Sequence, residues 1–322
     1  MSLSSLMREM YEQAHPLDGQ RAKTASRSLS AIAPVEFEVF LSGMGRQEYE
    51  SQNRLHSTSP VPACRLCWAR DCLVFRDRMA ITPDSFPFFP YHMLLRPVKP
   101  ERILLGAFKS IAPGIRRGRV TAEHLDCRDW FTAEDLATFA QVVQEAPDYM
   151  ITQSMRGSGA SVPEHIHGHA FLKKQTRLPL LEKSCFHTAD NAAGIWINDH
   201  VSYGLLSRAD ASIWSQLFVS LSEQFGLPSN HYIKADEEFG GVIAHYVPRT
   251  RELPQVTRFA EVDWKFGAFE VVGLYDAKMG FLYDTVTADE ACEATRSVTL
   301  QGRNIRTEME RACSYLCRSL IP

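Results

Sequence analysis

Three histidines alternate in a short stretch near the middle of the chain, His165, His167 and His169, within HIHGHAFL. Alternation with a period of two is typical of a β-strand, whose successive side chains point to opposite faces of a sheet. On such a strand all three imidazoles would project to one face, about 6.6 Å apart from one to the next. Three titratable rings on one face are poorly suited to a packed core, so the pattern predicts a functional site on a sheet.

Three kinds of chemistry fit these histidines: a metal site, a histidine nucleophile and a passive binding surface. The residues after the motif, AFLKK, lack the carboxylate that metal sites built on alternating histidines often use. The residues before it, 154–161, form a Gly/Ser-rich stretch that can present backbone N–H groups and hydroxyls to a phosphate. Lys173 and Lys174 add positive charge after the motif, where a phosphoryl transition state needs it. These flanks favour the nucleophile, while the binding surface stays open.

The order of predicted elements defines the fold class. Strand-like sequence covers residues 72–82 and 91–98, and the clearest amphipathic helix begins after a cap-like Thr132. A second helix is predicted over 211–225, and residues 231–249 read as two strands around an acidic, Gly-containing turn. Runs of strands precede runs of helix, which favours an α+β fold over alternating βαβ units.

Composition and charge exclude several classes of protein. The 322 residues carry a net charge of −3, which argues against a protein that binds nucleic acid over its whole surface. No apolar run is long enough to span a membrane. Charged residues interrupt the first fourteen positions, and the eight cysteines do not resemble a secreted disulfide framework, so we expect a cytoplasmic protein. Residues 96–119 are locally basic and are either a solvated insertion or an attractor for polyphosphate.

Three segments carry a resemblance to a known family: MAITPDSFPFFPYHMLLRP, VTAEHLDCRDWFTAEDLATFAQVV and GASVPEHIHGHAFLKKQTRLPLLE. They resemble the histidine-triad (HIT-like) superfamily, and within it the nucleotidyltransferase branch of galactose-1-phosphate uridylyltransferase and the diadenosine tetraphosphate phosphorylases. The resemblance implies an antiparallel sheet flanked by helices, with a second, degenerate HIT-like half. It implies an N-terminal arm at 1–61, a catalytic half at 62–182 and the degenerate half at 183–322.

The resemblance also implies roles for individual residues. The middle histidine, His167, would be the nucleophile, with His169 and Ser161 as its catalytic partners. The implied substrate-binding residues are Phe86, Phe88, Ser154, Arg156 and Lys173. Two positions depart from the family pattern, since Ser154 stands where relatives have Asn and His169 stands where transferases usually have Gln. The second departure leaves the acceptor open between water and a phosphate or sugar phosphate.

A structural zinc ion is the one cofactor expected. Cys64-x-x-Cys67 has the spacing of a thiolate pair for Zn²⁺, although two buried reduced cysteines would give the same pattern. The resemblance implies that His124 and His165 complete a structural Zn²⁺ site with these cysteines. Cys72 and Cys127 also lie close in sequence to these ligands and offer different pairings.

The sequence therefore predicts a nucleotidyltransferase or phosphorylase acting on a dinucleoside polyphosphate or nucleotide-sugar through a nucleotidyl-histidine. Two alternatives remain: a HIT-type hydrolase that uses water, and a zinc-stabilised nucleotide-binding protein without turnover. We expect a nucleotide or nucleotide-sugar as partner and neither a membrane nor sequence-specific nucleic acid. Many relatives are homodimers, so the resemblance also implies a homodimer.

Overall fold

The structure is a computed structural model, and the residues that it describes form two sheets and two layers of helices. The described residues are 2–15, 25–30, 36–41, 65–67, 70–84, 89–160, 162, 165–176, 178–182, 185–190, 193–198, 202–208, 210–237, 240–261, 266–276, 284–299, 307, 310–312 and 314. The helices are α1 Leu3–Ala14, α2 Pro100–Leu105, α3 Ala133–Glu145, α4 Pro179–Glu182, α5 Ala211–Phe225, α6 Thr257–Glu261 and α7 Ala288–Val298. The strands are β1 Ala25–Ser30, β2 Glu36–Leu41, β3 Arg70–Phe75, β4 Met79–Pro83, β5 Met93–Pro97, β6 Lys109–Ala112, β7 Ile115–Val120, β8 Tyr149–Ser154, β9 Gly168–Leu172, β10 Cys185–Asp190, β11 Ala193–Asn198, β12 Ser202–Ser207, β13 Ser229–Ala235, β14 Val242–Pro248 and β15 Leu274–Asp276.

A twelve-stranded antiparallel sheet dominates this architecture. Its strand order is β10-β11-β12-β14-β13-β8-β9-β5-β4-β3-β7-β6. Strands from before and after residue 182 meet where β8 pairs with β13, with Ser154 opposite Asn230 and Met150 opposite Lys234. The sheet is therefore continuous across both of the halves expected from the sequence. Strands β1, β2 and β15 form a separate small sheet.

One face of the large sheet is covered by long helices. Helix α3 packs on α5, β13 and β14, and α5 also packs on β14. Helix α1 packs on β4 and α3. Helix α3 begins at the predicted place, because Thr132 Oγ1 accepts from the Asp135 N–H and an Asp135 carboxylate oxygen accepts from the Thr132 N–H at 2.7 Å. Helix α1 buries Leu3, Met7 and Tyr11 in the same core, so the first turns of the expected arm belong to the domain core.

The other face of the sheet carries the candidate site. Along β9, Ala170 belongs to the core under the long helices, whereas Phe171 packs in a second core with Phe89 and Phe269. The two rings contact Phe171 edge-to-face at centroid distances of 5.5 and 5.0 Å. Because side chains alternate along a strand, His169 also points away from α3. Among the described residues, no helix is both long enough and apolar enough to cross a membrane.

Candidate active site

The three histidines are not a regular row on one strand. Strand β9 begins at Gly168, and before it the His165 N–H donates to the Val162 carbonyl and the Ile166 N–H to the Arg128 carbonyl. The even spacing predicted from the sequence is therefore wrong, because the backbone leaves the strand ladder at the first two histidines. The rings of His167 and His169 stay together, with centroids 4.8 Å apart in an edge-to-face arrangement. His165 lies beside two cysteine sulfurs instead.

The tautomer of His167 follows from its backbone contact. His167 Nδ1 lies 2.9 Å from the carbonyl oxygen of His165. A carbonyl oxygen can only accept, so Nδ1 carries the proton and donates it. In the neutral ring, Nε2 then holds the lone pair, which is the arrangement that a histidine nucleophile requires.

His169 is joined to two residues from the β4–β5 hairpin. His169 Nδ1 lies 2.9 Å from His92 Nε2, and His92 Nδ1 lies 3.2 Å from an Asp84 carboxylate oxygen. An ionised carboxylate accepts, so His92 donates from Nδ1 and its Nε2 accepts from His169 Nδ1. The resulting chain, Asp84–His92–His169, ends next to the His167 ring.

This chain can stabilise a proton beside His167. If His169 Nε2 takes up a proton, the positive charge can be shared with His92 and balanced by the Asp84 carboxylate. Neither Asp84 nor His92 was among the site residues predicted from the sequence. The sequence feature that could have identified them is that they flank the segment SFPFFPY. In the structure the Asp84 N–H donates to the His92 carbonyl at 3.0 Å.

The Gly/Ser-rich loop after β8 is held by the C-terminal part of the chain. The Gly157 N–H donates to Glu252 at 3.0 Å, and the Ser158 hydroxyl contacts the Met155 and Ser229 carbonyls. Ser154 Oγ accepts from the Asn230 side-chain amide at 2.9 Å. The Gly157 N–H and the Ser158 hydroxyl of the predicted phosphate loop are therefore used as donors in internal contacts, and Ser154 Oγ is used as an acceptor. Ser161 lies outside the described residues.

Arg249 links the Gly/Ser-rich loop to segments from the C-terminal part of the chain. The guanidinium is fully buried, and burial lowers its pKa to about 10. It donates to five acceptors: the carbonyls of Ser158, Arg251, Phe266 and Val298 and the side-chain oxygen of Asn230. The loop thus keeps its shape through a cation supplied by the second half of the sheet.

The other predicted substrate-binding residues lie in different surroundings. Phe86 and Phe88 are outside the described residues, and their neighbour Phe89 is buried against Phe171 and Phe269. Arg156 is exposed and faces Asp129 at 3.3 Å.

Lys173 Nζ lies 2.6 Å from a Glu237 carboxylate oxygen, and Lys173 lines a cavity whose described lining includes none of His165, His167 and His169.

The basic segment 96–119 is largely used within the fold. Arg96 is fully buried and donates to the Leu66 carbonyl. Arg116 pairs with Asp77 at 2.9 Å, and Arg117 donates to Gln13 at 2.6 Å. These contacts favour the structural interpretation of the segment over a polyphosphate attractor.

A group of two thiols and one imidazole fits a zinc ion. Cys67 Sγ lies 3.1 Å from Cys127 Sγ and 3.3 Å from His165 Nδ1, and Cys127 Sγ lies 3.7 Å from His165 Nδ1. Tetrahedral zinc with these donors separates ligand atoms by roughly 3.5–3.8 Å, so small shifts would accommodate it. Burial and the Arg96 charge lower the pKa of His165 to about 4, which keeps the ring neutral as a metal ligand must be.

The structure does not bring His124 into this group. His124 Nδ1 accepts from the Thr121 N–H at 3.1 Å, and the ring packs edge-to-face on Phe108. Within the described part of the chain, Cys127 stands beside Cys67 and His165 where the resemblance implied His124. Cys64 lies outside the described residues.

Comparisons with known proteins agree with this architecture. No family model matches the sequence, and no curated protein matches it. The crystal structure of yeast Ap4A phosphorylase Apa2 matches with a TM-score of 0.59 at 15% identity, over 94% of this chain and 100% of that chain. Its complex with Ap4A matches at 0.56 and 15% identity, over 94% and 98% of the two chains. Its complex with AMP matches at 0.55 and 14% identity, over 92% and 96%. The chain has the HIT-like fold of that phosphorylase, which confirms the fold class predicted from the sequence.

Proposed function

We propose that this protein cleaves a dinucleoside polyphosphate by nucleotidyl transfer through His167. The observation that carries the proposal is that two neighbouring imidazoles, His167 and His169, make different hydrogen bonds. His167 holds its proton on Nδ1, and His169 ends a hydrogen-bonded chain that leads to Asp84. The first ring is suited to attack phosphorus and the second to handle a proton.

The reaction would proceed in two displacements at one phosphorus atom. In the first, His167 Nε2 forms a P–N bond to the nucleotide, and the P–O bond to the remaining polyphosphate breaks. In the second, inorganic phosphate forms a P–O bond to the same phosphorus and the P–N bond breaks. With Ap4A the first step would release ATP and the second ADP. Both steps conserve the number of phosphates.

His169 would donate a proton to the leaving oxygen or accept one from the attacking oxygen. A proton on His169 Nε2 would neutralise charge on the leaving polyphosphate, and the chain through His92 to Asp84 would stabilise that imidazolium. We regard Asp84 as a positioning residue because it acts through His92. Ser161, Ser154 and Arg156 remain our candidates for phosphate contacts, and Phe86 and Phe88 for the base.

A dinucleoside polyphosphate is our preferred substrate class because the matched yeast phosphorylase has Ap4A and AMP as its ligands. We further propose that Cys67, Cys127 and His165 hold a structural Zn²⁺, with Cys64 as the fourth ligand. When bound, the ion would anchor the segment around Cys67 to the residues just before β9. It would also hold His165 away from the chemistry that we assign to His167.

Hydrolysis is the second candidate, and the chain ending at His169 supports it. An imidazole backed by His92 and Asp84 can accept a proton from water as readily as it can serve a phosphate oxygen. The two functions differ in product, since water would release AMP where phosphate releases ADP.

The deciding experiment is incubation of the full chain with Ap4A, with and without inorganic phosphate, followed by chromatography. Phosphate-dependent ADP supports the phosphorylase, and phosphate-independent AMP supports the hydrolase. Rapid quenching and peptide mass analysis should place an AMP adduct on His167, and His167→Gly should lose the adduct and turnover by several orders of magnitude. Full activity in that variant, or an adduct on another residue, would refute the assignment.

A further inference from the structure

A cavity lies on the same face of the large sheet as His169. Its volume is about 90 Å³, and it opens to solvent on one side. Met150 and Tyr232, from β8 and β13, line it on the side of the sheet, and Leu178 and Leu181 line it from the segment before β10. These side chains give the cavity an apolar body.

Two buried polar groups in this cavity have no hydrogen-bond partner among the described residues. His245 is 2% exposed, and neither of its ring nitrogens has such a partner. Thr176 Oγ1 is also buried without a described partner, and both residues line the cavity. An unpaired buried polar group carries a free-energy cost, and native proteins hold few of them. A ligand with polar atoms in the cavity would remove this cost.

The charge around the cavity is positive. Lys173 and Lys234 line it, and Lys174 and Arg208 lie close by. Among the described residues the acids near these cations are fewer: Glu237 receives a hydrogen bond from Lys173, and Asp236 pairs with Arg208 at 2.7 Å. The pKa of Glu237 is lowered by Lys173 first and by Lys234 and Lys174 as well, which places three ammonium groups around one carboxylate. This excess of cations favours an anionic ligand.

Buried side chains lie between the cavity and the pair His167 and His169. His169, Thr152, Tyr232 and His245 stand opposite one another across β9, β8, β13 and β14. Thr152 and Tyr232 are buried, and the Tyr232 hydroxyl donates to the Ala268 carbonyl. In this row Tyr232 is the lining residue nearest to His169, two strand spacings or about 10 Å away, and His245 lies about 14 Å away. A molecule in the cavity is therefore not the reacting phosphate at His167.

We propose that this cavity binds a compact organic phosphate, with the phosphate between Lys173 and Lys234 and the apolar body against Met150, Leu178 and the His245 ring. The imidazole can donate from one nitrogen and accept at the other, and the Thr176 hydroxyl can do both. The inference does not depend on the reaction assigned to His167.

Lysine acetylation of the full chain, followed by mass analysis, tests the proposal with AMP as the probe. Millimolar AMP should slow acetylation of Lys234 and Lys173 several-fold and leave Lys109, an exposed lysine on β6, unchanged. The protection of Lys234 should persist in His167→Gly protein, so failure of the catalytic proposal would not affect this result. Inorganic phosphate alone should protect less, because it lacks the apolar body.

Two variants make the test specific. His245→Phe keeps a ring but removes both nitrogens, and Lys234→Gln removes one charge at the partly exposed wall. Each should raise the AMP concentration needed for protection of Lys173 by about tenfold. The proposal is overturned if AMP protects no lysine of the cavity, if Lys109 is protected equally, if phosphate alone protects as well as AMP, or if neither variant weakens protection.

Discussion

The contact between Gly159 and the backbone at Phe266 offers a quantitative test of how the two halves support the loop. Gly159 has a φ of +84°, and a Cβ placed on it would lie 1.9 Å from the Phe266 carbonyl oxygen and 2.6 Å from the Gly267 Cα. Gly240 has a similar φ of +75°, but a Cβ there would meet nothing within 4 Å. Gly240→Ala is therefore a matched control that isolates the cost of the left-handed backbone.

The expected magnitudes follow from these contacts. The left-handed conformation alone should cost Gly240→Ala about 1–2 kcal/mol in unfolding free energy. In Gly159→Ala the two backbones must also separate, which strains the hydrogen bonds that Arg249 donates to the Ser158 and Phe266 carbonyls. Each hydrogen bond from a charged donor contributes about 1.5–3 kcal/mol, so we expect a total loss of about 3–5 kcal/mol.

Urea denaturation of both variants and the wild type, followed by circular dichroism, gives the comparison directly. The difference between the two alanine variants should be about 2–3 kcal/mol with unchanged m-values. If Gly159→Ala is no less stable than Gly240→Ala, the close approach of the loop to Phe266 is not a constraint on the folded protein.

Three further predictions address the metal group, the proton chain and the buried histidines. Cys127→Ser should lower bound zinc and the melting temperature, whereas Cys292→Ser, a half-buried thiol on α7, should change neither; equal zinc content by elemental analysis would remove Cys127 as a ligand. Asp84→Asn should lower kcat for Ap4A phosphorolysis by about 10²–10⁴ and shift its pH profile with little change in KM, and an unaltered kcat would show that the chain to His169 is not used. Burial lowers the pKa of His231 from 6.5 to about 3, so the unfolded chain binds more protons between these values and stability falls as pH decreases through this window. His231→Gln should therefore reduce the loss of unfolding free energy between pH 7.5 and pH 5 by about 2 kcal/mol in urea titrations, and an unchanged loss would contradict a neutral buried ring.

The sequence predicted the parts of this protein that local patterns determine. Thr132 and the apolar spacing after it gave the start of α3, because capping and helical periodicity are local properties. The two strands around residues 236–241 were also predicted, since alternation and a Gly-containing turn are visible in the sequence. Of the three motif histidines, His169 lies on β9, whereas His165 and His167 precede it.

The remaining features depend on contacts between distant segments. Asp84 reaches His169 only through His92, and no spacing in the sequence indicates that pairing. Cys127 meets Cys67 because the chain before α3 returns to the segment around Leu66, which local spacing does not encode. Arg249 is buried among carbonyls from four segments, whereas an arginine in a polar stretch is usually expected at the surface.

The pairing of β8 with β13 also affects how the chain reaches its folded state. The two strands are separated in sequence by β9, three further strands and α5, so their hydrogen bonds form only after a long loop closes. Until β13 pairs with it, β8 would be an edge strand with unpaired N–H and C=O groups beside an apolar core. Such an edge invites pairing with another chain, so during synthesis the first half would be exposed to aggregation until the second half is complete. The strand that joins the halves thus also protects the newly made protein from self-association.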